Sequence, residues 1–296
     1  MLEATRPPGS RNAMLKASTK RTPRRKAGFS LIEIIVVVCV LSILITILLP
    51  GIQQMREAAR RHECQNKLRQ IGLAIWHYEG NCRVFPPGAV DTQGPVLNQP
   101  GVNAIGWTVQ ILPQLGHRAL FRDFDCEAGA AAWKNRFDVP HDYTCPSNPY
   151  IADQVPGGGG HYAAVYHDVE APIDVDNLGV MFLNSSIRPR DIDDGTANTL
   201  LVGETHGELL FPWGSGSAQT LRNTSLPFDT GPFTRNATVP VKPENPAFVG
   251  GFGSFHTGVV QFVFVDGSVK ALSTEITPKI YRQLGHRADG GPVDGF

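Results

Sequence analysis

Hydrophobic positions along the chain fall into three successive patterns. From Phe29 to Leu49 the sequence FSLIEIIVVVCVLSILITILL is apolar on every side, with Glu33 as its only charge. As a helix these 21 residues span about 31 Å, the thickness of a bilayer's hydrocarbon core. The lack of a polar face argues against a helix in a soluble core, and no small-residue cleavage pattern follows Leu49. The segment reads as one retained membrane-spanning helix. From Gly51 to Glu79 the pattern becomes amphipathic: Cys64, Leu68, Ile71, Ile75 and Tyr78 recur at helical spacing, with Arg60, Arg61, Lys67, Arg69 and Gln70 elsewhere. Pro50, at the junction, reads as a kink between membrane helix and external helix. Beyond Gly80, short apolar runs alternate with turn residues, starting at Phe85-Pro86-Pro87-Gly88. Strands are expected at Trp107–Leu115, His161–Tyr166, Thr199–Val202 and Val259–Val265. Loops are expected at Gly157–Gly160 and across 212–250.

Composition agrees with a loop-rich globular part: 42% of the 296 residues are hydrophobic, and 31 Gly and 23 Pro stay below the level of a disordered chain. Net charge is zero overall but segregated. Residues 1–28 carry eight basic side chains and one acid, net +7, leaving the rest at net −7. Basic residues 20–26 abut the span, so the positive-inside rule keeps residues 1–28 cytoplasmic and puts 51–296 outside. Residues 80–296 are net −8, which argues against a nucleic-acid partner.

Glu33 carries the first chemical hypothesis. A carboxylate inside a membrane span costs roughly 2.5–3.5 kcal/mol and calls for a partner. Its setting, Gly28-Phe29-Ser30-Leu31-Ile32-Glu33 after a basic leader, resembles the prepilin cleavage and methylation signature. That resemblance implies a prepilin peptidase cutting between Gly28 and Phe29, N-methylation of Phe29, and a role for Glu33 in assembly with other pilin-like subunits. A Phe29 amine beside a neighbour's Glu33 would form a pair cheaper to bury than either charge alone.

The resemblance continues through the run 60–74 around Cys64, Phe85–Gly88, Cys145-Pro146-Ser147, the run Asp191 to Glu204, and His256 followed by nine residues and Asp266-Gly267. Together these look like a bacterial family that joins a prepilin-type N-terminus to a domain of unknown function ending in an H-x9-DG motif, similar to the secretion pathway protein G-like pseudopilins. The implied fold is α+β and pilin-like: a long N-terminal hydrophobic and amphipathic helix packed on an antiparallel β-sheet, loop-rich. The implied organisation is a basic leader at 1–28, a transmembrane helix at 29–50, its amphipathic continuation at 51–79, and an external domain at 80–296. The implied location is the bacterial inner membrane, single-pass in the bilayer, with the C-terminal domain periplasmic or external.

Other candidate chemistry is weighed against plainer roles. Seven strand residues between His256 and Asp266 separate them by roughly 20 Å or more, which excludes a dyad. Asp266-Gly267 reads as a hairpin turn and His256 as a hydrogen-bonding residue. No G-x-S-x-G, H-E-x-x-H or phosphate-binding loop is present, so the chain reads as structural and not as an enzyme. Asp191, Asp193 and Asp194 have the oxygen chemistry of a calcium site, but the spacing completes no EF-hand, and a turn at Gly195 with capping carboxylates is preferred; no other cofactor is expected. Four cysteines outside the span permit three disulfide pairings. The family motifs suggest Cys64 with Cys145, both within them, and Cys82 with Cys126, both outside. The reading from this stage is a structural subunit of a pilus or secretion-type filament. The alternative is a membrane-anchored surface binding module that is processed but never polymerises.

Overall fold

The computed structural model describes residues 28–99, 101–147, 159–206, 212–230 and 245–291. The leader up to residue 27, residues 157 and 158 of the Gly157–Gly160 loop and residues 231–244 of the 212–250 stretch lie outside the described residues. The chain divides into two compact units, Met1–Gly51 and Ile52–Phe296.

Helix α1 (Leu31–Cys82) begins in the first unit and contains Pro50. Ser30 stands just before it, and the Ser30 backbone N–H donates to Glu33 Oε2 at 2.8 Å, the acidic half of a capping box. Leu31 to Leu49 expose apolar side chains in every direction. The hydroxyls in this stretch are satisfied within the helix: Ser42 Oγ donates to Val38 O at 2.7 Å, and Thr46 Oγ1 to Ser42 O and Ile43 O at 3.0 and 2.8 Å. A helix with its hydroxyls turned inward and its apolar groups outward suits a solvent without hydrogen bonds. It is long and apolar enough to cross a membrane.

In the second unit, short pieces frame one sheet. Strands β1 (Ala89–Val90) and β2 (Ile105–Gly106) pair with each other, followed by helical turns α2 (Trp107–Gln110), α3 (Arg118–Arg122) and α4 (Gly129–Ala132). The sheet proper contains β3 (Tyr162–His167), β4 (Leu200–Glu204), β5 (Leu221–Asn223), β8 (Val259–Phe264) and β9 (Val269–Ser273), in the order β5-β3-β4-β8-β9. Strands β6 (Asp229–Thr230) and β7 (Gly253–Ser254) form a separate parallel pair, and α5 (Pro278–Gly285) closes the chain. Neighbours from β3 to β9 run antiparallel, whereas β5 joins β3 in parallel, so the sheet is mixed at that edge. The fold is α+β and pilin-like in plan.

Side-chain alternation gives the sheet two covered faces. Tyr162, Ala164, Tyr166 and Val263 share a core with Leu68, Ile71 and Ile75 of α1. Ala163, Val165, Phe262 and Phe264 share another with Tyr281 and Leu284 of α5. Helix α1 lies close to β8 because residue 72 is glycine: a Cβ there would sit 2.8 Å from Val263 Cγ2. One turn further, Trp76 Nε1 donates to Val265 O at 2.7 Å. The expected stripe is buried from Cys64 to Ile75, with Tyr78 half-buried at its end.

Ile71→Ala should therefore cost about 2–5 kcal/mol by loss of burial and creation of a cavity. At about 2–4 °C per kcal/mol for a domain of this size, melting of the detergent-solubilised chain should fall by about 5–20 °C. Leu73→Ala, at a position 60% exposed on the same helix, should shift it by no more than about 2 °C. Equal shifts would refute this account of the helix's buried face.

Two local expectations are corrected, and one element is new. Trp107–Leu115 is a helical turn followed by hydrogen-bonded turns, with Ile111 N donating to Trp107 O at 3.2 Å. Adjacent Ile111 and Leu112 are both fully buried, and Trp107 Nε1 is held by Thr220 O at 2.8 Å. A coiled turn points successive residues into one core, whereas a strand would send them to opposite faces. The 212–250 stretch contains β5 as well as loops; Leu221-Arg222-Asn223 has no alternation to announce a strand and is one by pairing with β3. Helix α5 was not anticipated, and it buries the sheet's second face.

Candidate functional site

Five side chains from four distant stretches meet at the C-terminal half of α1. Glu57 and Cys64 lie seven residues apart, about two turns, and so share a face of the helix. Cys145 follows the 3-10 turn His141–Tyr143, and its backbone N–H donates to His161 Nδ1 at 2.7 Å. Glu204 ends β4, opposite Tyr162 of β3. His256 lies between β7 and β8, its backbone N–H donating to Ser254 Oγ at 3.1 Å. Gly258, at φ +77°, makes the turn into β8 in a conformation that suits glycine.

The two cysteine sulfurs are 2.9 Å apart, and His256 Nε2 lies 3.9 Å from Cys145 Sγ and 3.5 Å from Glu204 Oε1. On the other side of the ring, His256 Nδ1 is 2.6 Å from Glu57 Oε1. Glu204 Oε2 accepts from Ser254 Oγ at 2.7 Å and from the Gln261 N–H at 3.0 Å. Cys64 and His256 have no solvent exposure, and Cys145 and Glu204 only 2%. Phe255 and fully buried Tyr162 adjoin the sulfurs. Cys64, Cys145, Glu204 and His256 present ligand atoms within 4.8 Å of one another, the one such group of three or more found among the described residues.

The electrostatics are those of an anionic nest around a ring. Burial disfavours a charged imidazole, but hydrogen bonds to Cys145, Glu204 and Glu57 outweigh it and push His256 up to about 10. Hydrogen bonding from Cys64 outweighs burial at Cys145 and brings that thiol down to about 6, while Cys64 is pushed up as the donor. Burial would raise Glu57, and its bonds to His256 and Arg60 hold it below the usual carboxylate range. Without another cation, the ring proton supplies the positive charge that two carboxylates and a sulfur surround.

Comparison with known proteins now places the chain. A family model described as a protein of unknown function (DUF1559) matches residues 53–279, and one for the prokaryotic N-terminal methylation motif matches 23–49. The chain belongs to the DUF1559 family. It is a prepilin-type protein of that family, with an N-terminal helix of membrane-anchor character. No curated protein matches, and no solved structure matches.

The remaining candidate residues occupy separate places in this DUF1559 chain. Gly28 and Phe29 precede α1, with Phe29 exposed, and Glu33 caps the helix start. Asp266 and Gly267 form the β8–β9 turn: Ser268 N–H donates to Asp266 Oδ1 at 2.8 Å, and Gly267 has φ +85°. Asp194 accepts from the Asp289 and Gly290 N–H groups at 2.8 and 2.7 Å, Asp191 from the Arg188 N–H at 2.9 Å, and Asp193 is exposed. Cys82 and Cys126 are exposed free thiols. Sequence reasoning quoted Glu204 without a role and passed over Glu57. The available signal was Glu57's seven-residue spacing from Cys64, which puts an acid in line with the apolar stripe.

Proposed function

We propose that this protein is a pseudopilin-like structural subunit of a pilus or secretion-type filament. The carrying observation is the segment Leu31–Leu49, apolar and exposed on every side, headed by Gly28-Phe29-Ser30-Leu31-Ile32-Glu33. Such a surface finds its solvent either in lipid or among like helices. In this reading prepilin peptidase cuts after Gly28, Phe29 becomes the methylated N-terminus, and α1 leaves the inner membrane to join a bundle of equivalent helices.

The reading gives Glu33 two successive partners. In the uncut chain its carboxylate accepts from the Ser30 N–H; after the cut, the Phe29 amine of a neighbouring subunit competes for it with a full charge. Glu33→Leu removes an insertion penalty of roughly 2.5–3.5 kcal/mol and leaves that amine unpaired. Cleavage should persist, membrane retention should be at least as strong, and recovery in sheared fibres should drop about tenfold or more. Unchanged fibre recovery would reduce Glu33 to a helix cap.

Topology follows from the same reading. Protease added to intact spheroplasts should degrade residues beyond Gly51, and in an uncut Gly28→Trp chain it should leave residues 1–28 untouched until the membrane is permeabilised, as the charge step across the span requires. Full protection of the C-terminal domain would overturn both the orientation and the filament role.

A further inference from the structure

We propose that Cys64, Cys145, His256 and Glu204 are the ligands of a structural zinc centre. Two sulfurs, one imidazole nitrogen and one carboxylate oxygen within 4.8 Å of one another form a four-donor set of the kind zinc takes tetrahedrally. Sulfur and nitrogen donors disfavour calcium and magnesium, which demand oxygen.

The surrounding hydrogen bonds prepare the two non-sulfur ligands. Zinc-binding histidines commonly give their second ring nitrogen to a carboxylate, which fixes the tautomer and aims the first nitrogen at the metal. Glu57 does this at His256 Nδ1, at 2.6 Å, and leaves Nε2 facing Cys145 and Glu204. Glu204 is treated in the same manner: Ser254 Oγ and the Gln261 N–H hold Oε2, while buried Oε1 is left with the long approach of His256 Nε2 at 3.5 Å and faces the other donors of the set. A disulfide between Cys64 and Cys145 would use the sulfurs alone and leave this aimed nitrogen and oxygen without a purpose.

Burial of all four ligands leaves no open position for a substrate, as in closed structural sites. Metal–sulfur bonds of about 2.3 Å put two sulfurs about 3.8 Å apart, so the pair now at 2.9 Å would open by about 0.9 Å on loading. Zinc takes two thiolates and a neutral imidazole, so ligation releases to solvent the proton shared by the cysteine pair and the proton on His256 Nε2. The centre would tie the outer part of α1, through Cys64 and through Glu57 behind His256, to the end of β4, the entrance of β8 and the Cys145 loop. In a filament subunit pulled through its N-terminal helix, that tie joins the handle to the domain it carries.

The test uses the full chain in detergent, without a polyhistidine tag, reductant or chelator. As isolated, or after incubation with zinc, it should hold one zinc per chain. X-ray absorption at the zinc edge should show two sulfurs near about 2.3 Å and two lighter atoms near about 2.0–2.1 Å, a reading that needs no variant. Glu57→Gln should leave that coordination shell unchanged and weaken zinc binding about 10–100-fold, as expected of a positioning residue. A Cys64–Cys145 disulfide found by peptide mapping of unreduced protein would overturn the proposal. So would a zinc shell without sulfur, or no uptake of zinc.

Discussion

Gly28→Trp should abolish maturation, and the protein recovered from membranes should keep its +7 leader. A peptidase that cuts between Gly28 and Phe29 must bring the scissile carbonyl to its catalytic groups, and a residue without a side chain lets the backbone approach closely. An indole at that position collides before the carbonyl arrives. The consequence extends beyond an added tail. An uncut chain has no amine at Phe29, keeps a leader with seven net positive charges, and leaves Glu33 with the Ser30 N–H as its partner among the described residues. Fibre incorporation should then fall to background while membrane insertion persists. Intact-mass measurement decides the matter: the wild type should begin at Phe29 with one added methyl group, and Gly28→Trp should retain residues 1–28. A wild-type chain from its native host that still carried the leader would refute the prepilin-type maturation proposed here.

His256→Ala should be among the most destabilising single changes outside the apolar core. In metal-free protein the ring is fully buried between Glu57 and Glu204, and its removal leaves the Glu204 carboxylate 2% exposed and facing two sulfurs with no cation beside it. Removing one partner of a buried ionic pair costs about 3–5 kcal/mol, or about 6–20 °C of melting temperature in a domain of this size. The loss should be coupled to Glu204. Adding Glu204→Gln to His256→Ala removes the stranded charge, so the double variant should melt above the sum of the two single losses by an interaction of about 0.5–3 kcal/mol. Thermal unfolding of wild type, both single variants and the double variant, each freed of metal by chelator, makes the measurement. Strict additivity, or a His256→Ala chain that melts like wild type, would show that the cluster carries no such energy.

The difference between these positions explains how far the sequence can be read. The span, the amphipathic stripe from Cys64 to Ile75 and the β8–β9 turn each depend on residues within a few positions of one another. Their signals are local: unbroken apolar composition over a bilayer's thickness, a 3.6-residue period, and Asp-Gly after alternating apolar residues. Where a segment's conformation depends on what lies across from it, local pattern misleads. Trp107–Leu115 alternates like a strand and coils so that Ile111 and Leu112 enter the same core, and Leu221–Asn223 becomes a strand because β3 offers an open edge.

The cluster marks the same boundary at the level of chemistry. Cys64, Cys145, Glu204 and His256 were all visible as residues within family motifs, yet as a pairing, a motif end and a hydrogen-bonding histidine they carried no common purpose. Glu57, 199 positions from His256, had none at all. By itself, the sequence determined an N-terminal apolar helix with a lone acid near its start, an amphipathic continuation and a strand-rich α+β domain, because each follows from periodicity and composition along the chain. Only the tertiary structure decided that an acid on that helix, two cysteines, a strand-end glutamate and a histidine share one dry site, since the distances between them are set by the packing of α1 on the sheet and not by their separation in sequence.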